Sequence, residues 1–225
     1  MENSFDYEIE LVKKFLELNK SESSQNTITT IEVPVRWGNI DIVEIRNNVL
    51  PFNDEQSIVL SKISNSRIFL KTKKSRGISK KSLLLMKGMS KSTIENCLNQ
   101  LLKVNLIIKK DNLYYRNMEF SFPKVVITGY EAKLIDYKKA IFQAMINKDY
   151  VDYSYLIFPV DIAEKICEKN ANFLMSNGIG LIGVSKKRKK ILIRAKKIKE
   201  VKEYSRLVNL VQTNLCLNKK EALIY

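Results

Sequence analysis

Val125 to Gln143 reads VVITGYEAKLIDYKKAIFQ. The first half reads as a strand that ends on Glu131 and Lys133, and the second as a helix that begins near Asp136 and carries Gln143. Successive side chains on a strand alternate faces, so Glu131 and Lys133, two apart, leave the same one. A carboxylate beside an ammonium at a strand end can hold a metal ion and position the water it activates. A lone Glu-x-Lys triplet is a weak signal in 225 residues with 24 acids and 39 bases, so its neighbours must decide.

Downstream, DYKKAIFQAMINKD is a helix with Ala140, Ile141, Ala144 and Met145 on its packing side and Asp136, Lys139, Gln143 and Asn147 on its polar side. YSYLIFP is a short apolar run ended by Pro159, consistent with a central strand. IAEKICEKNANFLMSNG is a helix closed by Asn177 and Gly178, a good C-terminal stop. IGLIGVS is a further strand, and KKRKKILIRAKK opens with five basic residues before an alternating strand. The tail, EYSRLVNLVQTNLCLNKKEALIY, is amphipathic and helical.

Upstream, FDYEIELVKKFLEL is an amphipathic helix with Ile9, Leu11, Val12, Phe15, Leu16 and Leu18 on the buried side. Asp6 suits its N-cap, which leaves Glu8 in the first turn. Residues 19–29 are a polar loop. IEVPVRWGNIDIVEI then reads as two strands joined at Trp37-Gly38-Asn39, with Asp41 near the start of the second. An acid among β-branched neighbours on a strand is unfavourable unless it is exposed, paired or bound to metal. Strands alternating with helices indicate a mixed α/β sheet.

The chain carries a net charge of +15 with 45% hydrophobic and 28% charged residues, and it contains no histidine. Ser-His or Cys-His catalysis and His-ligated zinc are therefore excluded. Cys97, Cys167 and Cys216 lack metal-ligand or disulfide spacing and read as reduced residues. Any metal must be held by oxygen, which points to Mg²⁺ or Mn²⁺. No apolar run approaches the ~18 residues of a membrane span, and MENSFDYEIE lacks the layout of a signal peptide, so a cytoplasmic protein away from membranes is expected. Residues 54–118 hold 14 Lys and Arg against 4 Asp and Glu, and residues 186–202 hold 10 against 1. Two basic blocks on a slightly acidic remainder suggest a polyanion partner, most simply nucleic acid.

Residues 54–118 have a different texture and look inserted. DEQSIVLSKIS and GISKKSLLLMKG are short helices, and MSKSTIENCLNQLLKVNL is a third with Ile94, Cys97, Leu98, Leu101 and Leu102 at helical spacing. LIIKK and LYYRN follow as β-prone runs around the turn pair Asp111-Asn112. This order, with S-K-S-T-I-x-x-x-L-x-x-L-x-x-x-x-L-I, resembles the recognition helix and wing of the winged helix-turn-helix family. The resemblance implies DNA binding. Ser90, Lys91, Ser92, Thr93, Asn96 and Asn99 would reach phosphates or base edges, while Lys73, Lys74, Arg76, Lys80, Lys81, Lys109 and Lys110 would neutralise phosphates.

Outside the insert, the order of a helix with Glu, a strand with GNIDIV, a strand with YEAK, a helix with FQA, a strand ending in Pro and a GIGL strand resembles the PD-(D/E)XK nuclease superfamily. The restriction-endonuclease-like group that includes archaeal Holliday-junction resolvases is the nearest flavour. The resemblance implies a restriction-endonuclease-like mixed sheet flanked by helices, formed by residues 1–53 and 119–225, with the winged-helix domain inserted at 54–118. By the same resemblance Glu8, Asp41 and Glu131 surround one or two Mg²⁺ or Mn²⁺ ions, Lys133 orients or activates the attacking water, and Gln143 supports it. Glu10 competes with Glu8 for the helix acid, and Asp41 lacks a preceding proline. Asp41 and Glu131 lie 90 residues apart, much farther than the compact family pattern, which requires the insert to be an independent domain.

The chemistry fits these groups on its own terms: phosphodiester hydrolysis needs a positioned water, charge neutralisation and help for the leaving 3′ oxygen. Lys133 can orient the water, share the developing negative charge, or act as base if a neighbouring cation depresses its pKa. The expectation is a Mg²⁺-dependent endodeoxyribonuclease acting in restriction, phage defence or DNA processing. Two alternatives stay open: a non-catalytic winged-helix regulator on a nuclease-like scaffold, and a subunit that cuts only with a partner of a defence or restriction system. Cleavage of two strands by one site per chain favours a homodimer. The tail helix is either its interface or a core helix.

Overall fold

The computed structural model describes residues 5–20, 27–46 and 50–221. Residues 21–26 of the expected loop 19–29, and the last four residues of the tail, lie outside these. In chain order the elements are α1 (Glu8–Lys20), β1 (Thr27–Val35), β2 (Gly38–Arg46), α2 (Asp54–Leu60), α3 (Ile63–Lys71), β3 (Ile78–Ser79), α4 (Lys80–Leu84), α5 (Lys91–Lys103), β4 (Ile107–Lys110), β5 (Leu113–Arg116), β6 (Val126–Ala132), α6 (Tyr137–Asn147), β7 (Tyr153–Pro159), α7 (Val160–Asn177), β8 (Gly180–Val184), β9 (Lys189–Ile193) and α8 (Glu203–Glu221). They form two compact units, residues 1–48 with 124–201 and residues 49–123 with 202–225. No helix among the described residues is long and apolar enough to cross a membrane.

The first unit is a six-stranded mixed sheet in the order β1-β2-β6-β7-β8-β9. β6, β7 and β8 run parallel, joined by the crossover helices α6 and α7, while β1, β2 and β9 run antiparallel to their neighbours. Parallel pairing requires such long crossovers, which is why the apolar run of β7 is central and buried on both faces. Leu11, Val12 and Phe15 of α1 share a core with Ile42, Tyr130, Ile157 and Ile182. Ala140 and Ala144 of α6 and Ala163, Ile166 and Leu174 of α7 pack with Leu156, Phe158 and Leu181, the alternate residues of the same strands. Helices therefore cover both faces. Gly178 ends α7 in the left-handed conformation at φ 70°, with Ile179 N donating to Leu174 O at 3.0 Å. Two local expectations change: β1 begins at Thr27, inside the expected loop, and Ile9 is half exposed rather than buried.

The second unit joins α2–α5 and the three-stranded sheet β3-β5-β4 to α8. The expected helix DEQSIVLSKIS breaks at Ser61-Lys62, because Lys62 is extended at ψ 124°, and α3 continues through a stretch given no element in the sequence. GISKKSLLLMKG is the short strand β3 followed by a five-residue helix. Asp111 and Asn112 turn the β4–β5 hairpin at φ 46° and 61°, the paired left-handed conformations that a two-residue turn demands. Arg116 is buried, donating to the carbonyls of Phe69, Leu70, Thr72 and Phe120.

The domain boundaries differ from those expected at 54–118 and 119–225. The helix α8, assigned from sequence to the first unit, belongs to the second, where Leu207 and Val211 join a core made with Leu60, Ile68, Phe69, Ile94 and Leu101. Amphipathicity shows that a helix buries a face but not what that face meets. This packing makes α8 a core helix.

Candidate active site

β2 and β6 are antiparallel neighbours with Ile42 opposite Tyr130. One residue further, the start of β2 brings Asp41 to the end of β6, so a strand pair closes the long separation in sequence. Asp41 Oδ2 accepts the backbone N–H of Ala132 at 2.9 Å and the Lys133 ammonium at 3.3 Å. Lys133 Nζ also lies 3.3 Å from Glu8 Oε2 and 3.6 Å from Glu131 Oε1, and it donates to its neighbour's carbonyl, Ala132 O, at 2.8 Å. Three of the five residues expected at the site thus converge on the ammonium of a fourth.

Glu8 and Glu10 separate cleanly. Glu10 Oε2 accepts the Asp6 N–H at 3.1 Å, a local contact at the start of α1, whereas Glu8 reaches Lys133. Asp41 is neither at a sheet edge nor fully exposed, since β2 lies between β1 and β6. Opposite it in the β1–β2 register stands Glu32, left-handed at φ 56°, its carboxylate held by Asn39 Nδ2 at 2.9 Å. A left-handed non-glycine residue in a strand is a strained position, and such strain gathers at functional sites.

Glu131 is fully buried. Its Oε2 accepts from Asn147 Nδ2 at 3.1 Å, and its Oε1 makes no hydrogen bond. Burial, and then the negative charge of Asp41, push its carboxyl up to about 8. For Lys133, burial acts to lower the pKa, but the carboxylates of Asp41, Glu131 and Glu8 outweigh it and hold the group above its ordinary value. In this arrangement Lys133 is held as an ammonium, a positive charge that donates hydrogen bonds, not the depressed-pKa base that a neighbouring cation would make of it.

Gln143 does not reach the cluster. Its amide oxygen is buried without a hydrogen bond, and Asn147, one turn further along α6, makes the contact to Glu131 instead. The reason is the angle of the helix: Ala140, Ala144 and Asn147 are its buried stripe, while Met145, expected to pack, is exposed. Sequence spacing sets Asn147 on the polar face of this helix. The available signal was its spacing of four from Gln143, which puts both on one side of the helix.

Every donor atom here is a hard oxygen, which suits Mg²⁺ or Mn²⁺. Among the described residues no group of three acids, cysteines or histidines is gathered closely enough to hold a metal ion, and Glu8 is tied to the cluster by its ion pair with Lys133. Asp41 and Glu131 nonetheless fit a cation. The buried Glu131 Oε1 has no hydrogen bond, only the Lys133 ammonium at 3.6 Å, and once ionised a carboxylate in that position gains most from a second positive charge. Two other buried acids contrast with it: Glu44 accepts from Asn19 Nδ2 at 2.9 Å and the Tyr130 hydroxyl at 3.1 Å, and Asp152 accepts from Ile127 N at 2.8 Å.

In the second unit, Lys73, Lys74, Arg76, Lys81, Lys91, Ser92, Asn96, Asn99, Lys109 and Lys110 are exposed. Ser90 is the N-cap of α5, accepting from Thr93 N at 3.1 Å, and its hydroxyl also bonds those of Ser92 and Thr93. Lys80 does not stand as an unpaired cation: it bonds Glu95 on α5 at 2.5 Å. Lys74 lies 3.8 Å from Glu119.

Comparison of the chain with protein-family models, with curated proteins and with solved structures finds no match.

Proposed function

We propose that the protein is a metal-dependent endodeoxyribonuclease of the PD-(D/E)XK type whose second unit is a winged-helix DNA-binding module. The observation that carries this reading is the convergence of Glu8, Asp41 and Glu131 on the Lys133 ammonium at 3.3 to 3.6 Å, from two strands and a helix far apart in sequence. The mixed sheet with helices on both faces supports the restriction-endonuclease-like core. The order of helices, short strand and two-stranded turn in the second unit, with its exposed basic residues, supports the DNA-binding module.

Asp41 and Glu131 would hold Mg²⁺ or Mn²⁺, with Glu8 on the far side of Lys133. The bound ion would supply Lewis acidity toward the phosphate and a more acidic water. The chain's own groups do the rest. The Ala132 N–H and the Asn147 amide fix the two carboxylates, so their oxygens need not reorganise during reaction. The Lys133 ammonium orients the attacking water and shares the negative charge that grows on the phosphoryl oxygens. As water bonds to phosphorus it gives up a proton to solvent, the bond to the 3′ oxygen breaks, and that oxygen leaves with a proton taken from solvent. The exposed cations of the second unit add a sequence-independent affinity for phosphates.

The second reading is a non-catalytic regulator, in which Lys133 is simply the counter-ion of three acids. It rests on the ion pairs that occupy Lys133 on every side. Cleavage of plasmid, linear and branched DNA with Mg²⁺ or Mn²⁺ separates the two. The nuclease reading expects cleavage that Asp41→Ala and Lys133→Ala abolish while DNA binding persists; no cleavage of any substrate, with binding unaffected by either change, supports the regulator.

A further inference from the structure

The sheet rim that carries Asp41, Glu131 and Lys133 also carries two features that the chemistry above leaves unused. Because β6, β7 and β8 are parallel, β8 ends on the same rim as β6. The turn that leaves β8 presents Lys186, Lys187 and Arg188, all exposed. Ser185 fixes that turn: its N–H and its hydroxyl both donate to Arg188 O, at 2.9 and 3.0 Å, and its hydroxyl accepts from Arg188 N at 3.1 Å. At the other edge, β2 runs antiparallel to β6 and so begins on this rim. Val35 pairs with Gly38, leaving Arg36 and Trp37 as the tip of the β1–β2 hairpin.

Trp37 is 68% exposed. The Arg36 guanidinium lies over its ring, 4.8 Å from the centroid, which covers one face of the indole and leaves the other open. Two-residue hairpin tips favour Asn-Gly or Gly-containing pairs, so an Arg-Trp tip is not what turn geometry asks for. A solvated indole forgoes the large gain of burying an aromatic ring. In the strand order β1-β2-β6-β7-β8-β9 the two hairpins are four strand spacings apart, roughly 20 Å at the ~4.8 Å separation of paired strands. The carboxylate and lysine cluster lies between them.

We infer, resting on the nuclease reading, that this rim takes an unpaired stretch of DNA. A base stacks on the open face of Trp37, Arg36 and the Lys186–Arg188 turn hold phosphates on either side, and the strand between them crosses the Glu131 and Lys133 site. A stacking platform flanked by cations is how single strands are bound without sequence preference, and a base offers its face only where it is unpaired. The substrate class is therefore single-stranded, flapped or branched DNA rather than continuous duplex.

Trp37 is the single tryptophan of the chain, so its emission reports on this hairpin whatever the second unit binds. The full-length protein is titrated in EDTA with an oligothymidine and, separately, with a duplex closed by loops of an abasic linker. Saturable quenching and protection from acrylamide by the single strand alone are expected. Replacing Lys186 and Arg188 by alanine should raise the half-saturating concentration several-fold and flatten its dependence on salt. Trp37→Ala should slow cleavage of single-stranded or branched DNA by roughly 5- to 150-fold, the range of one aromatic stack, with Trp37→Phe restoring most of it. Unchanged emission on single-strand binding, or equal quenching by the closed duplex, overturns the inference even where cleavage that depends on Asp41 is present. Quenching by the single strand without any such cleavage overturns the nuclease reading instead.

Discussion

Glu131 should make the first unit lose stability as pH rises from 5 to 9 when divalent ions are absent. Its carboxyl is held protonated in the folded protein up to about 8, against 4.5 as the ordinary value. A group whose folded pKa is raised contributes stability that is fully present below the unfolded pKa and disappears as pH climbs through the folded one. The window is thus pH 4.5 to 8. At about 1.4 kcal/mol per pH unit, the loss across it reaches roughly 5 kcal/mol. The chain is well suited to the measurement because it has no histidine, the side chain that otherwise titrates in this range. Urea unfolding followed by circular dichroism is run in EDTA from pH 5 to 9 on the native protein and on Glu131→Gln. Glutamine keeps the neutral shape, so the variant should be nearly flat where the native protein falls. Added Mg²⁺ should restore the native protein most at high pH, where Glu131 is ionised, and leave Glu131→Gln little changed. Parallel profiles for the two proteins would refute the argument that buried Glu131 is neutral near pH 7.

Asn147→Ala removes the donor to Glu131 Oε2, and the expected cost is about 1 to 3 kcal/mol for an orphaned buried acceptor; the same unfolding experiment should also show the Glu131 transition moving to higher pH, since that hydrogen bond favours the ionised form. Leu207→Ala empties a fully buried position of α8 and should cost about 2 to 5 kcal/mol. Hydrogen exchange should then lose protection in residues 54–116 while the sheet strands keep theirs; the reverse pattern would return α8 to the first unit.

The residues that sequence brought together at the site were legible because strand alternation and acid content on a β-rich stretch are local signals. Glu131 and Lys133 needed only their spacing, and Asp41 only its unfavourable position among β-branched neighbours. What sequence did not carry was orientation. Asn147 and Gln143 share one side of α6, and only the docking angle of the helix decides which of them meets Glu131. The destination of α8 was hidden for the same reason: its apolar spacing fits either core, and the choice is made by Leu60, Ile68 and Phe69, more than a hundred residues earlier. The ion pair of Lys80 had no signal in the sequence, because its partner, Glu95, lies on a different helix.

The nuclease reading stands or falls on a divalent-cation site formed by Asp41 and Glu131 beside Lys133. Calorimetric titration of the full-length protein with Mn²⁺ at pH 8.5 tests it without knowledge of the substrate. Saturable binding that weakens at least tenfold in Asp41→Ala and in Glu131→Gln is expected, with proton release from the native protein as Glu131 ionises. Mn²⁺ binding of equal strength in the native protein and both variants, or none in any of them, would contradict it.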